Sequence, residues 1–305
     1  MDNQLAQRLI DIVGADNVAI DEPMSKHTTF RVGGPADCFV TPCSADQLQA
    51  VLAACREAGE RTYILGCGSN VLVADEGLRG VVVRIGPKLS DVQVNDDGTV
   101  IAQAGAMNSK IARAAQAAGL AGYEFAAGIP GSIGGAAIMN AGAYGGELRD
   151  VATGVTCLDQ DGRLVEVPAQ ETGWSYRHSM MGDAGYIVVS VALQLHPDDP
   201  QAIQDRMDDL SRRRNEKQPL DLPSAGSTFK RPEGHFAGKL IQDAGMQGHT
   251  VGGAQVSIKH AGFVVNIGDA TAEDVLQVIR DVQAAVLADA GVLLEPEVRL
   301  WGFEA

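Results

Sequence analysis

A chain of 305 residues with 45 % hydrophobic content exceeds what one core usually holds, so two or three subdomains are expected. Its 39 acidic residues against 24 basic ones leave a formal net charge of −15, which argues against broad docking on nucleic acid or an anionic membrane. Five cysteines (Cys38, Cys43, Cys55, Cys67 and Cys157) form an odd set without a C-x-x-C pair, so neither a zinc site nor a disulfide framework follows and no metal is expected.

The polar residues Gln4, Gln7 and Arg8 interrupt the first apolar positions, leaving no signal-peptide core. No apolar stretch is long enough to span a bilayer, and a cytoplasmic location is expected. Leu5, Leu9, Ile10 and Val13 recur at helical spacing in a leading helix that stops at Gly14. Residues 37–41 read as a strand, 45–58 as a helix capped by Ser44 and stopped by Gly59, and 63–65 as a strand, making one βαβ lobe. Strands are predicted near 80–85, 92–94 and 100–104, then a helix over 108–118, a glycine-rich loop, and strands at 151–158, 164–167 and 186–195.

Pro197-Asp198-Asp199-Pro200 is the clearest linker in the chain. Beyond it the pattern predicts helices over 201–215 and 237–244, with Pro219 and Pro223 in the loop between them. Strands near 251–256 and 262–266 precede a long helix capped at Thr271, with Glu273 and Asp274 near its start, and a terminal strand over 292–301. Residues 206–239 carry eight basic against five acidic residues, a local positive patch suited to a diphosphate. A basic helix face in water explains Arg212 to Arg214 about as well.

Residues 126–142 hold five glycines, a proline and an asparagine around small apolar residues, a backbone bare enough for close approach and for an anion cradle. A tight loop or a close helix crossing is the plain alternative. A second such segment, Leu65-Gly66-Cys67-Gly68-Ser69-Asn70-Val71-Leu72, follows a short run of strand formers and reads as strand then phosphate loop. It is not the dinucleotide fingerprint, because no third glycine opens a helix. Near Gly234 to Lys239 a P-loop is only approached, since Leu240 stands where Ser or Thr would hold magnesium. Two bare loops about sixty residues apart suggest a large phosphate-bearing cofactor gripped between two lobes.

Three segments make the suggestion specific. His27-Thr28-Thr29-Phe30-Arg31-Val32-Gly33-Gly34, the Leu65 to Leu72 segment and Gly128-Ile129-Pro130-Gly131-Ser132-Ile133-Gly134-Gly135 together resemble the signatures of the UDP-N-acetylenolpyruvoylglucosamine reductase family, flavoenzymes of peptidoglycan precursor synthesis. The likeness continues through Ser175-Tyr176-Arg177-His178-Ser179, Ala225 to Pro232 and Leu294 to Arg299, covering nearly the whole chain in order. It implies an α+β protein with a two-lobed FAD-binding domain of the vanillyl-alcohol-oxidase type and a C-terminal α+β substrate domain. The divisions expected are 1–85 (leading helix and first lobe), 86–196 (second lobe) and 200–305 (substrate).

The resemblance also implies the chemistry. FAD is expected at Thr29, Gly66, Gly68, Ser69, Asn70, Leu72, Gly128, Ile129, Pro130, Gly131, Ser132, Gly134, Gly135, Asn140 and Gly142. NADPH is the expected donor and UDP-N-acetylglucosamine enolpyruvate the substrate, with the chain acting as a monomer. In the family pattern the Glu of Glu297-Val298-Arg299 is catalytic and the Arg contacts substrate. By strand parity Glu295, Glu297 and Arg299 share one face, opposite Leu294, Val298 and Leu300; an exposed edge is the plain alternative, and Pro296 fits an edge or bulge.

Ser227 reads alone as a loop or cap serine. A serine gives up a proton when nearby cations stabilise its alkoxide, and Lys230 and Arg231 are close in sequence. The resemblance makes Ser227 the proton donor. Arg177 reads alone as a surface ion-pair residue, yet its fork matches the carboxylate of an enolpyruvyl group, and the resemblance gives it that role. Tyr176, Lys217, Lys230, Arg231 and Arg299 are the expected sugar and diphosphate contacts. The short span from Ser179 to Tyr186 leaves no room for the substrate-covering tyrosine loop of one branch of the family, and Arg231 replaces an asparagine of that branch. His27, His178 and His260 are expected in supporting polar roles. An FAD-dependent oxidase of the same cofactor fold, or a flavin- or nucleotide-sugar-binding protein without catalysis, are the competing readings.

Overall fold

The structure is a computed structural model that describes residues 3–303; residues 1–2 and 304–305, at the outer limits of the expected domains, lie outside the described residues. In chain order it forms α1 (Asn3–Val13), β1 (Val18–Pro23), β2 (Pro35–Val40), α2 (Ala45–Glu57), β3 (Thr62–Leu65), β4 (Val71–Val73), β5 (Leu78–Arg84), β6 (Val92–Val94) and β7 (Thr99–Gln103). Next come α3 (Asn108–Ala117), β8 (Leu120–Ala121), α4 (Ile133–Met139), β9 (Gly142–Ala143), β10 (Gly146–Glu147), β11 (Ala152–Leu158), β12 (Leu164–Pro168), α5 (Met180–Asp183), β13 (Ile187–Gln194), β14 (His196–Pro197) and α6 (Pro200–Lys217). The remainder is β15 (Ser224–Ser227), α7 (Ala237–Asp243), β16 (Thr250–Val251), β17 (Ala254–Val256), β18 (Phe263–Asn266), α8 (Ala272–Ala290) and β19 (Arg299–Trp301).

The chain makes two compact units. Residues 3–19, 38–67 and 81–214 form the first, and residues 20–37, 68–80 and 215–303 the second. In the first, five antiparallel strands run in the order β12-β11-β13-β7-β6, and β3 lies parallel to β5 from Thr62 beside Val81 to Leu65 beside Arg84. The connection between these two strands is residues 66–77, while α2 joins β2 to β3. Ser44 starts α2 by accepting the Gln47 N–H at 3.1 Å, and Gly59 stops it at φ +66°. Leu5, Leu9, Leu48, Val51, Val81, Val83, Ile111, Ile133, Val155 and Val191 share one core.

In the second unit the antiparallel order β15-β18-β17-β16 is covered by α8. Val275, Val278, Ile279, Val282 and Val286 lie at helical spacing on its buried stripe, each removing apolar surface worth about 1.5–3 kcal/mol from water. Thr271 and Asp274 close a capping box, and the Asp75 carboxylate takes the Ala272 and Glu273 N–H groups at 2.8 and 3.1 Å. Donors that a helix start leaves unpaired are therefore satisfied twice over. Gly291 ends α8 at φ +69°.

Two sequence expectations need correction. The terminal strand is confined to Arg299–Trp301, because Pro296 has no N–H to extend a ladder; instead it forms an isolated bridge with Phe229. In a two-stranded sheet β19 pairs in parallel with β4, Arg299 beside Val71 and Trp301 beside Val73, and Arg299 and Leu300 are exposed, as an edge would be. The glycine-rich segment is only partly loop: Ile133–Met139 is helical, ending where Asn140 adopts φ +42°.

Candidate active site

In the first unit, β3 delivers Gly66, where an added Cβ would lie 3.0 Å from Ser132 Oγ, so the first glycine loop begins beside the second. The second loop is pinned on the connection from β7 to α3. Asn108 N–H donates to Gly131 O at 3.1 Å, Ile133 N–H to Ala106 O at 2.9 Å and Gly134 N–H to Ala104 O at 2.9 Å. Asn108 is itself held by the wholly buried Tyr123, whose hydroxyl donates to Asn108 Oδ1 at 2.9 Å. Burial pushes the Tyr123 phenol well above its ordinary range, so it serves only as a neutral donor.

The glycines of this loop are bare for different reasons. A Cβ on Gly134 would meet Ala104 Cβ at 2.8 Å, and one on Gly142 would meet Gly146 O at 2.7 Å, so these two admit the protein's own packing. Gly135 differs, because its Cβ position meets nothing within 4 Å and the residue is exposed. Because the Ile133 and Gly134 N–H groups bond Ala106 O and Ala104 O, the exposed backbone of Gly135 is what the start of α4 offers for close approach of a phosphate group. The residues present therefore suit FAD. Cys67, in the first loop, gives its thiol proton to Met107 Sδ at 3.2 Å, and burial pushes its pKa up.

Asn140, almost wholly buried, donates from Nδ2 to Glu147 Oε2 at 2.8 Å and to Ser175 O at 3.3 Å, and accepts the Arg149 N–H at Oδ1. Its amide thus ties the loop to the 173–179 segment. Trp174 Nε1 donates to Ala137 O at 2.7 Å and Ser179 Oγ to Ile138 O at 2.8 Å, so the last carbonyls of α4 seat both sides of that segment. Between them Ser175 and His178 exchange backbone bonds of 3.2 and 3.3 Å, closing a turn with Tyr176 and Arg177 at its tip. Arg177 adopts φ +55°, the third turn position that usually demands glycine or asparagine, and its guanidinium lies 5.1 Å from the Tyr176 ring centre. A non-glycine residue held there is a strained element, a kind that clusters at functional sites.

Sequence reading missed Tyr144 and Arg214. Tyr144 and Gly145 form the two-residue tip between β9 and β10, both with positive φ (+55° and +90°), as in a type I′ hairpin. Arg214 lies 6.0 Å from the Tyr144 ring centre, and its Nε is 3.1 Å from the Cβ position of Gly128. Burial lowers the Arg214 pKa. The signal was an aromatic residue inside a glycine-rich hairpin just beyond the loop.

The second unit gathers the other expected residues. Thr29 N–H and Oγ1 both donate to Gly68 O, at 3.0 and 3.3 Å, and Gly68 sits at φ +62° where a Cβ would collide with His27 O. Asn70 Nδ2 donates to Glu297 O at 3.1 Å, while Asn70 O accepts the Arg299 N–H at 3.1 Å. Leu72 is wholly buried in the core with Phe30 and Val298. Ser227 follows a bulge, since Ser224 opposes Val265 and Ser227 opposes Phe263, three steps against two, with Gly226 at φ +76°. Such a bulge re-aims a side chain, and Ser227 is exposed between half-buried Gly226 and buried Thr228. Glu297 N–H bonds Thr228 O at 2.8 Å and Lys230 N–H bonds Glu295 O at 2.9 Å, which lays the serine segment along the glutamate segment.

The cations near Ser227 in sequence have other partners. Lys230 pairs with Glu295, and Arg231 stacks on Phe236 at 4.0 Å from the ring centre. Elsewhere in the basic segment Arg206 pairs with Glu124 and Asp198, Arg212 and Arg213 with Asp209, and Lys239 with Asp243. Lys217 is exposed at the end of α6, near enough to His260 to join burial in lowering that imidazole's pKa. Among the described residues no group of His, Cys, Asp and Glu could hold a metal ion. Nor is any helix long and apolar enough to cross a membrane.

Two bare glycine loops fit an FAD-binding flavoprotein of the two-lobed type, as the likeness to known proteins shows. Residues 36–168 match the FAD binding domain, and the p-cresol methylhydroxylase structure shares the fold at 18 % identity with a TM-score of 0.50, covering 64 % of this chain and 43 % of that one. Residues 218–301 match the C-terminal domain of UDP-N-acetylenolpyruvoylglucosamine reductase. The chain is 50 % identical over 294 residues to the reductase of that name from Clostridium botulinum, covering 96 % of this chain and 95 % of the relative. Against the crystal structure of the Thermus caldophilus reductase it gives 34 % identity and a TM-score of 0.79, covering 93 % of this chain and 98 % of that one. The chain belongs to the UDP-N-acetylenolpyruvoylglucosamine reductase family.

Proposed function

We propose that this protein reduces UDP-N-acetylglucosamine enolpyruvate to UDP-N-acetylmuramate, with NADPH as electron source, in peptidoglycan precursor synthesis. FAD supplies the redox chemistry when bound, the two-electron reduction of the enol-ether double bond. We assign it the backbone of Gly66 to Asn70 and of Gly128 to Gly135, with Thr29 holding Gly68 in place, Asn140 and Gly142 supporting the second loop, and Leu72 acting from the core. The observation that carries the reading is the bulge at Gly226, which turns Ser227 outward on a segment bonded along Glu295 to Glu297.

Arg177 takes the substrate carboxylate through its fork, the strained turn having fixed the guanidinium in advance. Charge building on that carboxylate during reduction is met by Arg177, and Glu297 is assigned the catalytic carboxyl group. Ser227 Oγ gives its proton to the carbon beside the carboxylate, completing the lactyl ether. Tyr176, Lys217, Lys230, Arg231 and Arg299 are assigned to the sugar and diphosphate. We further infer cofactor lobes at 1–85 and 86–196, a substrate region at 200–305, a monomeric enzyme and a cytoplasmic location.

The test is Ser227→Ala, followed by stopped flow. Flavin reduction by NADPH should stay nearly intact, while reoxidation by the enolpyruvyl substrate slows ~10²-fold or more, as for a lost general acid. Equal slowing of both half-reactions would reduce Ser227 to a structural role.

A further inference from the structure

The turn that presents Arg177 carries a second polar device. His178 Nδ1 lies 3.2 Å from Gly173 O on the incoming limb, and Nε2 lies 2.7 Å from Asp183 Oδ2 on α5, the outgoing limb. A main-chain carbonyl and a carboxylate only accept, so both ring nitrogens must donate. Neutral imidazole has one N–H, and only the imidazolium has two. Full closure of both bonds therefore requires the charged ring.

The place of this bridge gives it a consequence. The 175–178 turn is closed by long backbone bonds, 3.2 and 3.3 Å, around an arginine at φ +55°. Its limbs are seated from outside by Trp174 on Ala137 and Ser179 on Ile138. His178 joins one limb to the other through its side chain at the base of the turn. The charged group that faces the ring is Asp183 on α5, with Arg177 next to it in the chain, while Arg149 holds Trp174 O on the incoming limb at 3.5 Å and pairs with Glu147.

We propose that His178, in its doubly protonated form, is a positioning residue that clamps the limbs of the 175–178 turn and so fixes Arg177 for the substrate carboxylate. This rests on the role assigned to Arg177 under the proposed reduction. The hydrogen bond to Asp183, then that to Gly173 O, holds the imidazole above its ordinary pKa. A raised value means the clamp is complete below it and is lost as pH rises through it. Losing the proton removes one arm, which frees the strained turn to relax and weakens the hold of Arg177 on the carboxylate while leaving flavin reduction by NADPH untouched.

The test uses FAD-loaded enzyme, its His178→Gln and Asp183→Asn variants, and two readouts. In the wild type, KM for the enolpyruvyl substrate should rise about fivefold across the His178 titration, the loss of one charge-assisted bond, with any fall in kcat confined to the enolpyruvyl half-reaction and flavin reduction by NADPH level. His178→Gln should show the raised KM at every pH, and Asp183→Asn should move the midpoint to lower pH. NMR provides the second readout without substrate: the Arg177 Nε–H resonance should shift with the same midpoint as the His178 ring, and both midpoints should fall in Asp183→Asn. A KM profile unchanged in both variants, or an Arg177 resonance indifferent to His178 titration, overturns the clamp. Should the protein fail to reduce the enolpyruvyl substrate, the NMR titration still decides the clamp, and the failure falls on the proposed reaction.

Discussion

The side-chain amide of Asn70 donates to the main-chain carbonyl of Glu297 at 3.1 Å, and the carbonyl of the same asparagine accepts the Arg299 N–H at 3.1 Å. One residue of the first glycine loop thus brackets the two positions of the Glu-Val-Arg motif. Asn70→Asp keeps the shape and removes the donor, setting a carboxylate oxygen against a carbonyl. The expected cost is about 1–3 kcal/mol of stability, with the enolpyruvyl half-reaction slowed about tenfold and flavin reduction by NADPH slowed less. Stopped flow on both half-reactions checks this. Equal slowing would mean that Asn70 serves only the flavin.

Gly134 and Gly135 are neighbours in sequence with opposite surroundings, and substitutions at them should separate packing from cofactor binding. Gly134→Ala drives a methyl group to 2.8 Å from Ala104 Cβ and should destabilise by about 1–3 kcal/mol. Gly135→Leu enters open space inside a helix, so stability should hold or rise by up to ~1 kcal/mol while bound FAD is lost. Thermal melts and flavin absorbance read the two effects. A stable, fully yellow Gly135→Leu protein would place the phosphate elsewhere.

Arg177→Gly should uncouple stability from activity. Glycine relieves the positive φ, leaving the fold as stable or up to ~1 kcal/mol more so, while kcat/KM falls ~10²-fold or more with the guanidinium gone. Arg177→Lys keeps the charge but not the fork and should fall between. Denaturant melts beside steady-state kinetics give the comparison. A destabilised glycine variant would show that the strained turn earns nothing for binding.

Much of the scaffold was legible because its signals are local. Thr271, Asp274 and Gly291 bracket α8, Ser44 and Gly59 bracket α2, and alternation marks β11 and β13. What stayed hidden depends on distant pairing. β4 is three residues long and means little until Arg299–Trp301 lies beside it; nothing near Ser227 announces a bulge set by Val265 and Phe263. α4 escaped notice because it is seven residues long and its centre, Gly134 to Ala137, is glycine and alanine, too small to present a periodic apolar face. The expected site residues came from the family likeness rather than from spacing. Their partners were not legible: Lys230 beside Ser227 in sequence is committed to Glu295, and Arg214 beside Gly128 lies 86 positions further along the chain.

Glu124 links the start of the second glycine segment to α6 and should set an acid limit on the first unit. Oε2 accepts the Gly122 N–H at 2.8 Å, and Oε1 accepts from Arg206 at 2.7 and 3.0 Å. Burial pushes the carboxyl pKa up, but the bonds from Arg206 and the backbone outweigh it and leave the value lowered. A carboxylate depressed on folding contributes stability that is fully present above its unfolded pKa, near 4.3, and is lost as pH falls through the folded value. Glu124→Gln should therefore cost about 1 kcal/mol at pH 7, given the solvent around the half-exposed Arg206, with the gap to the wild type constant from pH 8 to 6 and closing below the unfolded pKa. Melting temperatures of both proteins between pH 8 and 3 measure the gap. A difference that persists unchanged to pH 3 would show that the Glu124 charge contributes nothing, and that the loss in the glutamine variant is steric.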